Sequence, residues 1–574
     1  MNIKLNEVPF SARGSYLALG WLESNFHGWG NEQGLFLRSV HGLSGNTADS
    51  NSLIARIDVC AEGKKLKATV TATPDQMLVH TDKGQIRIVF DGETTLLFEG
   101  TGEDLSMQLD FNPIASGTFN LIEQWQSGER TWYMANVYRT SCRYMMYVQT
   151  GAGISEQTWT GETTSAASYT VKAENGRFLF ALEEVRDSWK DQGKVYDIDQ
   201  AQQSVRSDFE DFFKKMPAVP DEYKETAEYA SYVNWSSIIA PCGLFKRYAM
   251  YMSKNWMSSV WSWDHCFNAI ASAYGDPDMA WDQFMVMFDH QTPSGVIPDS
   301  INDTILLDNY CKPPIHGWTY HKLAQIMPVT PEQKEEAYEK LSRWSAWWLN
   351  YRDPNNDGLC EYTHGNDSGW DNSTAFIETP PMTTPDLAAF MILQMDELAS
   401  LAQELGRSQE AEDWKYRADQ MLDRMLEKLF PDNKPAAIQA FSNEKVENQS
   451  LILCLPLILG ERLPEQVRAS LLERLGMFAT EWGYATEAPD SLYYESDGYW
   501  RGPIWAPSTM LIVEGLDKCG RHEEAVRTAD RFCRMVRKSG CAENFDALTG
   551  DGLRDRAYTW TSSVMLVLAH EYLM

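Results

Sequence analysis

Two periodicities divide this chain. Up to about residue 190, apolar and polar positions alternate in short runs. Leu66-Lys67-Ala68-Thr69-Val70-Thr71-Ala72 alternates throughout, and Gln85-Ile86-Arg87-Ile88-Val89-Phe90 over most of its length. Arg143–Val148 and Gly176–Leu182 are further β-rich runs, and Asp82-Lys83-Gly84 and Asp91-Gly92 supply turns between them. A period of two is that of a strand with one face on a core. Many short strands at regular spacing predict an antiparallel β-sandwich.

From about residue 195 the period becomes helical. Ala201–Lys214 opens it, Pro217 and Pro220 interrupt it, and Glu222–Ile239 resumes it. Amphipathic stretches follow at Asp278–His290, Pro331–Tyr351, Pro385–Leu405, Gln409–Leu429, Gln466–Leu475, Pro507–Leu516, His522–Lys538 and Thr559–Tyr572. Short loops with Gly, Pro and Asp separate most of them. No consensus repeats at a fixed period of about 30–45 residues, which argues against a solenoid. A closed (α/α)6 barrel is the economical alternative. The expected fold is therefore mainly α: a β-sandwich domain (1–195), a linker (196–220) with one helix and prolines, and an (α/α)6-barrel catalytic domain (221–574). In such a toroid, loops at one end of the inner helices converge on a pocket.

Composition narrows the function. The formal net charge of −31, spread along the helices, leaves no basic footprint for nucleic acid or anionic membranes. No stretch reaches the roughly 18 apolar residues of a membrane span, and Met1–Phe10 lacks the pattern of a signal peptide. The ten cysteines are dispersed without a CxxC pair, as for buried free thiols in a reducing cytosol. The expected location is cytoplasmic. Oligomeric state is not fixed by the sequence. Twenty-one tryptophans are an excess. Most belong in a large core, but Trp261, Trp263, Trp318, Trp370, Trp500 and Trp505 lie at polar, turn-like places where stacking on a sugar is a natural use.

Two segments put acids beside aromatic and amide side chains: Asp367-Ser368-Gly369-Trp370-Asp371-Asn372-Ser373 and Glu543-Asn544-Phe545-Asp546-Ala547-Leu548-Thr549-Gly550. Each alone reads equally as a turn or a helix cap. As a pair they fit glycosidic hydrolysis, which needs one carboxyl to protonate the leaving oxygen and another to activate water or attack the sugar.

Further segments accompany them in order: Trp261-Ser262-Trp263-Asp264, Gly295-Val296-Ile297-Pro298-Asp299, Lys312-Pro313-Pro314-Ile315-His316-Gly317-Trp318 and Tyr499-Trp500-Arg501-Gly502-Pro503-Ile504-Trp505. The combined pattern, over roughly residues 225–574, resembles the bacterial mannosylglycerate- and glucosylglycerate-hydrolase-like branch of glycoside hydrolase family 63. More distantly it is similar to the family 37 trehalases. The resemblance implies an inverting, exo-acting α-glucosidase-like enzyme, with Asp371 as general acid and Glu543 as general base. The acid's pKa must then be raised, by burial, Trp370 or Asp367. The two carboxyls should stand roughly 6.5–9.5 Å apart, leaving room for a water. Trp263 and Asp264 are expected at the sugar, unless they are a core tryptophan and a capped helix start. Trp370, Trp500 and Trp505 are expected to flank it. Arg501 would bind sugar hydroxyls or pair with a carboxylate, or form a structural salt bridge. Trp318 and His316 would line the pocket, and Glu487 and Asp490 would shape its acceptor side.

The expected substrate is a small α-linked glucoside or mannoside, an oligosaccharide or a glycosylated small molecule. No cofactor or catalytic metal is expected. Asp353-Pro354-Asn355-Asn356-Asp357-Gly358 begins like a calcium loop, but position twelve is His364 rather than glutamate, so an Asx-rich turn is the reading and structural calcium the alternative. Two other functions stay open: a glycoside phosphorylase of similar architecture, and a carbohydrate-binding protein without turnover.

Overall fold

The structure is a computed structural model and describes residues 1–22, 33–42, 52–111, 121–162, 164–378 and 380–574. The chain forms two compact units. One comprises residues 1–214, 231–259 and 302–305, the other 215–230, 260–301 and 306–574.

The first unit is built on two antiparallel sheets. One is ordered Leu17–Leu22, Gly34–Ser39, Leu53–Ala61, Leu105–Asp110, Thr164–Lys172, Ala152–Trp159. The other is ordered Leu121–Ser127, Arg130–Val137, Cys142–Thr150, Arg177–Val185, Thr95–Thr101, Gly84–Phe90, Gln76–Thr81, Thr69–Thr73. Along Gly84–Phe90, Ile86, Ile88 and Val89 are all fully buried, so both faces of this strand are covered. Val89 joins Leu97, Trp132, Leu179 and Ala181 in packing against Ile198 and Ala201 of helix α1 (Ile198–Lys215). On the opposite face Phe180 meets Tyr169 of the other sheet, with ring centroids 5.8 Å apart. Burial on two faces accounts for runs such as Arg177–Val185 being nearly continuous in apolar residues.

Residues 231–259 join this unit through specific bonds. Gly14 N donates to Ile238 O and Ala240 N to Gly14 O. The buried Lys254 ammonium donates to Ser11 Oγ and to the carbonyls of Ala12, Ser15 and Ile238. Four oxygen acceptors replace the water that this ammonium gives up.

The second unit is helical. After α2 (Lys224–Ser237), which contributes residues to both units, come α3 (Asp264–Ala273), α4 (Pro277–Met285), α5 (His316–Ile326), α6 (Pro331–Tyr351), α7 (Pro385–Glu404) and α8 (Ser408–Leu429). A 3-10 stretch spans Leu451–Arg462. Then follow α9 (Glu465–Leu475), α10 (Ala506–Lys518), α11 (His522–Ser539) and α12 (Thr559–Leu573). α3 packs on α5, α5 on α7, α7 on the 3-10 stretch, that stretch on α10, α10 on α12, and α12 returns to α3. α4, α6, α8, α9 and α11 each pack against members of that circuit.

The two sets differ in sequence. All ten residues of α3 are buried. In α11, Ala525, Ala529, Phe532, Cys533 and Val536 face inward while the charged residues do not, the usual stripe of a helix with one wet face. α6 begins where a start signal stands: Thr330 and Gln333 cap it reciprocally and Pro331 opens it. Asp278–His290, expected as one helix, is α4 followed by a 3-10 turn at Phe288–His290. Pro456, which has no N–H to donate, lies inside the Leu451–Arg462 stretch. Among the described residues no helix is long and apolar enough to cross a membrane.

Candidate active site

The site is assembled from loops that precede or join helices of the circuit. Val260–Trp261 pairs with Ser300–Ile301, which pairs with Leu306–Leu307. This small sheet holds Asp264 at the start of α3 and Asp299 beside it, with Ser262 N donating to Asp299 O and Asp299 N to Leu307 O.

Lys312 organises the acids around it. It is 4% exposed, and its ammonium lies 3.1 Å from Asp299 and 3.9 Å from Asp371, and donates to Asn366 O and Oδ1. Asp264 is buried and its carboxyl is pushed up to about 8: burial is the largest cause, Lys312 opposes it, and Asp299 and Asp371 add to it.

Asp371 sits in a turn that its neighbours fix. Gly369 adopts φ +74°, and a Cβ there would stand 2.5 Å from the Trp263 indole, so this position needs glycine for both reasons. Asn372 donates through Nδ2 to Gly498 O and accepts from Trp500 N, while Arg501 Nε donates to Asn372 O. Asp367 is fully buried. It accepts from Cys311 N and Thr363 N and pairs with Arg352 at 3.0 Å, so its charge is matched within the loop. Glu487 ties Thr374 to Ser491, accepting from both hydroxyls at 2.6 Å. The Asp371 side chain is 36% exposed, the most open of these acids. Its pKa is raised, burial first, with Asp299 adding, while Lys312 and a hydrogen bond from the Tyr499 hydroxyl oppose.

Glu543 approaches on the segment before the short strand Asn544–Phe545, which pairs with Gly552–Leu553. The intervening Asp546–Gly550 is the turn that its residues predicted, with Asp546 Oδ1 accepting from Leu548 N and Thr549 N. Glu543 is 6% exposed and pushed up to about 8. Burial is the largest cause, Asp555 adds to it, Arg554 opposes, and Asp371 adds a smaller push. Arg554, in a left-handed conformation, pairs with Asp497 at 2.9 Å and stacks over Tyr499, itself at φ +63°. Asp264, Asp371 and Glu543 thus form one electrostatically linked group, all three raised, with Tyr499 feeling the charge of each.

Trp370, Trp500 and Trp505 are buried and stacked face to face, with centroids 4.7 and 4.1 Å apart, and Trp560 meets Trp263 and Trp505 edge-on. They form a wall supporting the Asp371 and Tyr499 loops. Trp318 is buried within α5, its indole donating to Glu514 at 3.0 Å and its ring against Phe267. His316 packs on His265, Phe288 and Trp344, and burial holds its pKa far below the usual histidine range.

The sequence reading named neither Lys312, Asp299, Tyr499, Arg554 nor Asp555 as site residues. One signal was present: Lys312 is a lone cation between Cys311 and the apolar turn Pro313-Pro314-Ile315. Among the described residues, the clusters whose ligand atoms lie within 4.8 Å of one another are His265/Cys266/His316, His41/Cys142/Glu184 and Asp353/Asp357/Glu361; none contains Asp371 or Glu543.

With this geometry in hand, comparison with known proteins is decisive. Residues 257–561 match the family described as the mannosylglycerate hydrolase MGH1-like glycoside hydrolase domain. The chain belongs to that family. It is a glycoside hydrolase. Mannosylglycerate hydrolase from Rubrobacter radiotolerans is 22% identical over 400 residues, 53% of this chain and 89% of that one. The crystal structure of the family 63 mannosylglycerate hydrolase from Thermus thermophilus in complex with glucose matches 59% of this chain and 99% of its own, at 22% identity and a TM-score of 0.52. A bacterial glucoamylase complexed with acarbose covers 100% of this chain and 94% of its own, at 11% identity and a TM-score of 0.63. The glucoamylase likeness therefore spans the β-sheet region as well as the helices, and at these identities the structural matches speak to fold alone. All the acids of the linked group fall within the family match.

Proposed function

We propose that this chain is an inverting α-glycosidase acting on a small α-linked glucoside or mannoside, such as one whose aglycone is a small acid like glycerate. One observation carries the reading: Asp371 and Glu543, on separate loops, are both raised, and Asp371 adds to the rise of Glu543. Groups that must exchange protons near neutral pH need such raised values. In the proposed reaction Asp371 gives its proton to the glycosidic oxygen as that bond breaks. Glu543 takes a proton from a water, whose oxygen attacks the anomeric carbon from the opposite face. Lys312 limits the rise at Asp371, and Tyr499 orients its carboxyl.

The return of α12 onto α3 supports an (α/α)6 barrel, and the contact of Phe180 with Tyr169 supports a β-sandwich. The names of the relatives support the substrate class. The ten cysteines, all free, support the cytoplasm as the compartment.

A second reading has its own support. Lys312 opposes the rise at Asp371, while at Glu543 the acid Asp555 adds more than Arg554 takes away, which favours Glu543 as the proton donor. The roles would then be exchanged, with the reaction class unchanged.

The test is a screen of α-linked disaccharides and of glucosyl- and mannosyl-glycerate, with the released sugar followed by proton NMR from the first minute. The β-anomer should appear first from an α-glycoside. An α-anomer appearing first would contradict inversion, and sugar phosphate formed only with added phosphate would replace hydrolysis by phosphorolysis.

A further inference from the structure

Away from the active site, the first unit gathers a histidine, a cysteine and a glutamate at one buried point. A ring nitrogen of His41, Cys142 Sγ and a carboxylate oxygen of Glu184 all lie within 4.8 Å of one another, and all three side chains are buried. His41 follows the strand Gly34–Ser39 of one sheet, whereas Cys142 and Glu184 stand on paired strands of the other, Cys142–Thr150 and Arg177–Val185. The register sets Tyr144 opposite Glu184, so Cys142 and Glu184 are diagonal neighbours on the same face. Strand pairing therefore fixes two of the three groups.

The third is oriented from behind. Asp303 Oδ2 lies 2.9 Å from His41 Nδ1, and an ionised carboxylate only accepts, so Nδ1 carries the proton. Asp303 is itself held, accepting from Gly42 N at 2.8 Å and pairing with Arg186 at 2.5 Å. The Tyr16 ring stacks on the imidazole, with centroids 3.8 Å apart. This leaves His41 Nε2 facing Glu184 Oε1 at 3.2 Å. The other oxygen, Glu184 Oε2, is buried and has no hydrogen-bond partner. Buried polar atoms are normally satisfied, and this one is not. Burial by itself lowers His41, but Glu184 and Asp303 outweigh it and push it up to about 9, so the cluster draws positive charge.

We propose that His41, Cys142 and Glu184 bind a zinc-class divalent ion, with Asp303 as the carboxylate that orients the histidine. Nitrogen, sulfur and oxygen donors together suit zinc and its neighbours, whereas calcium and magnesium take oxygen. The 3.2 Å between Nε2 and Oε1 is close to the separation of two ligands on one tetrahedral ion with bonds of about 2.0–2.2 Å. A carboxylate on the far ring nitrogen is the usual support of a metal-bound histidine. Glu184 Oε2 is available as the fourth donor. The charges also balance. Entry of the ion releases the Nε2 proton of the imidazolium and the proton of the Cys142 thiol, so two positive charges replace two. All three ligands lie outside the family match at 257–561, and the ion's role is to tie the end of the strand Gly34–Ser39 to the other sheet.

The experiment expresses the full chain in zinc-supplemented medium and, separately, in zinc-depleted medium supplied with cobalt. Bound metal by plasma mass spectrometry, the absorption spectrum and thermal unfolding are the readouts. Wild type should carry stoichiometric metal from either medium and lose Tm on prolonged chelation. Its cobalt form should show a thiolate-to-cobalt charge-transfer band together with the visible bands of tetrahedral cobalt. Cys142→Ser should lose the charge-transfer band and weaken zinc binding by at least the roughly 10–100-fold that loss of an outer partner costs. If Cys142→Ser does not fold, Glu184→Gln should show the weakened binding while keeping the band at saturating cobalt. Wild type free of metal from both media would leave His41 as an imidazolium held between two carboxylates and overturn the proposal. A charge-transfer band that survives Cys142→Ser would place the metal on another cysteine and overturn it equally.

Discussion

Glu514, with 12% of its side chain exposed, and Glu543, 6% exposed, are both largely enclosed glutamates of the helical unit, and their surroundings push them in opposite directions. Burial alone would raise Glu514. Lys322 at 3.5 Å, Lys518 at 2.8 Å and the Trp318 indole outweigh it and hold the carboxyl down at about 2. Burial likewise raises Glu543, but its strongest neighbour is another acid, Asp555, and the carboxyl stands at about 8. A structural carboxylate is surrounded by donors until its charge is settled. The proposed catalytic one is left unsettled, and this costs stability. Sequence offers no such distinction, since both are single glutamates in apolar surroundings.

The contrast breaks most visibly in activity. Asp371→Ala and Glu543→Ala should each lower turnover of an α-glycoside by roughly 10²–10⁴-fold, with circular dichroism unchanged. Glu514→Gln should leave turnover per folded molecule near wild type. Equal losses in all three variants would erase the distinction.

Stability should show the reverse order. Glu514→Gln removes the carboxylate shared by Lys322 and Lys518, while Lys322 keeps Glu571 at 3.2 Å, and should cost about 2 kcal/mol in denaturant unfolding. Glu543→Gln removes a like-charged neighbour of Asp555 and should be neutral or stabilising.

The pH dependence separates them next. With a folded value near 2, Glu514 binds fewer protons folded than unfolded, so its contribution is present above the unfolded value and is lost as pH falls towards 2. With a folded value near 8, Glu543 binds more protons folded than unfolded, so stability falls as pH rises from its unfolded value through 8. Unfolding curves of wild type against each glutamine variant should show the first slope abolished in Glu514→Gln and the second in Glu543→Gln.

Smaller effects sharpen the picture at Asp371. Lys312→Gln removes the charge that opposes its rise, so the alkaline limb of the pH–rate profile should move to higher pH. Tyr499→Phe removes only a hydrogen bond and should move the limb the same way by less. A downward shift in either variant would mean that Asp371 does not carry the titrating proton.

How much of this was legible depended on whether a residue faced water. α6, α8 and α11 were readable because one face of each is wet and charged. α3 and residues 451–460 are buried on every face, and α5 over most of its length, so a wet polar face that would show a period is missing or short. In the site, Asp371 and Glu543 stood out because aromatic and amide neighbours surround them in sequence, and Asp264 through the family resemblance of its Trp-Asp segment. Lys312, Asp299 and Asp555 reach the same group from other loops, and only folding brings them together. Trp370, Trp500 and Trp505 are flanked by polar residues along the chain, yet they stack on one another, because a turn can bury its aromatic residue while exposing the residues beside it.

The assignment of acid and base is tested most directly by changing the leaving group. Asp371→Ala and Glu543→Ala should be compared on a natural α-glycoside and on a nitrophenyl α-glycoside, whose phenolate departs without protonation. If Asp371 supplies the proton and Glu543 activates the water, the nitrophenyl substrate should restore much of the turnover of Asp371→Ala and little of that of Glu543→Ala. The opposite pattern would exchange the two roles, and restoration in both variants or in neither would contradict the account.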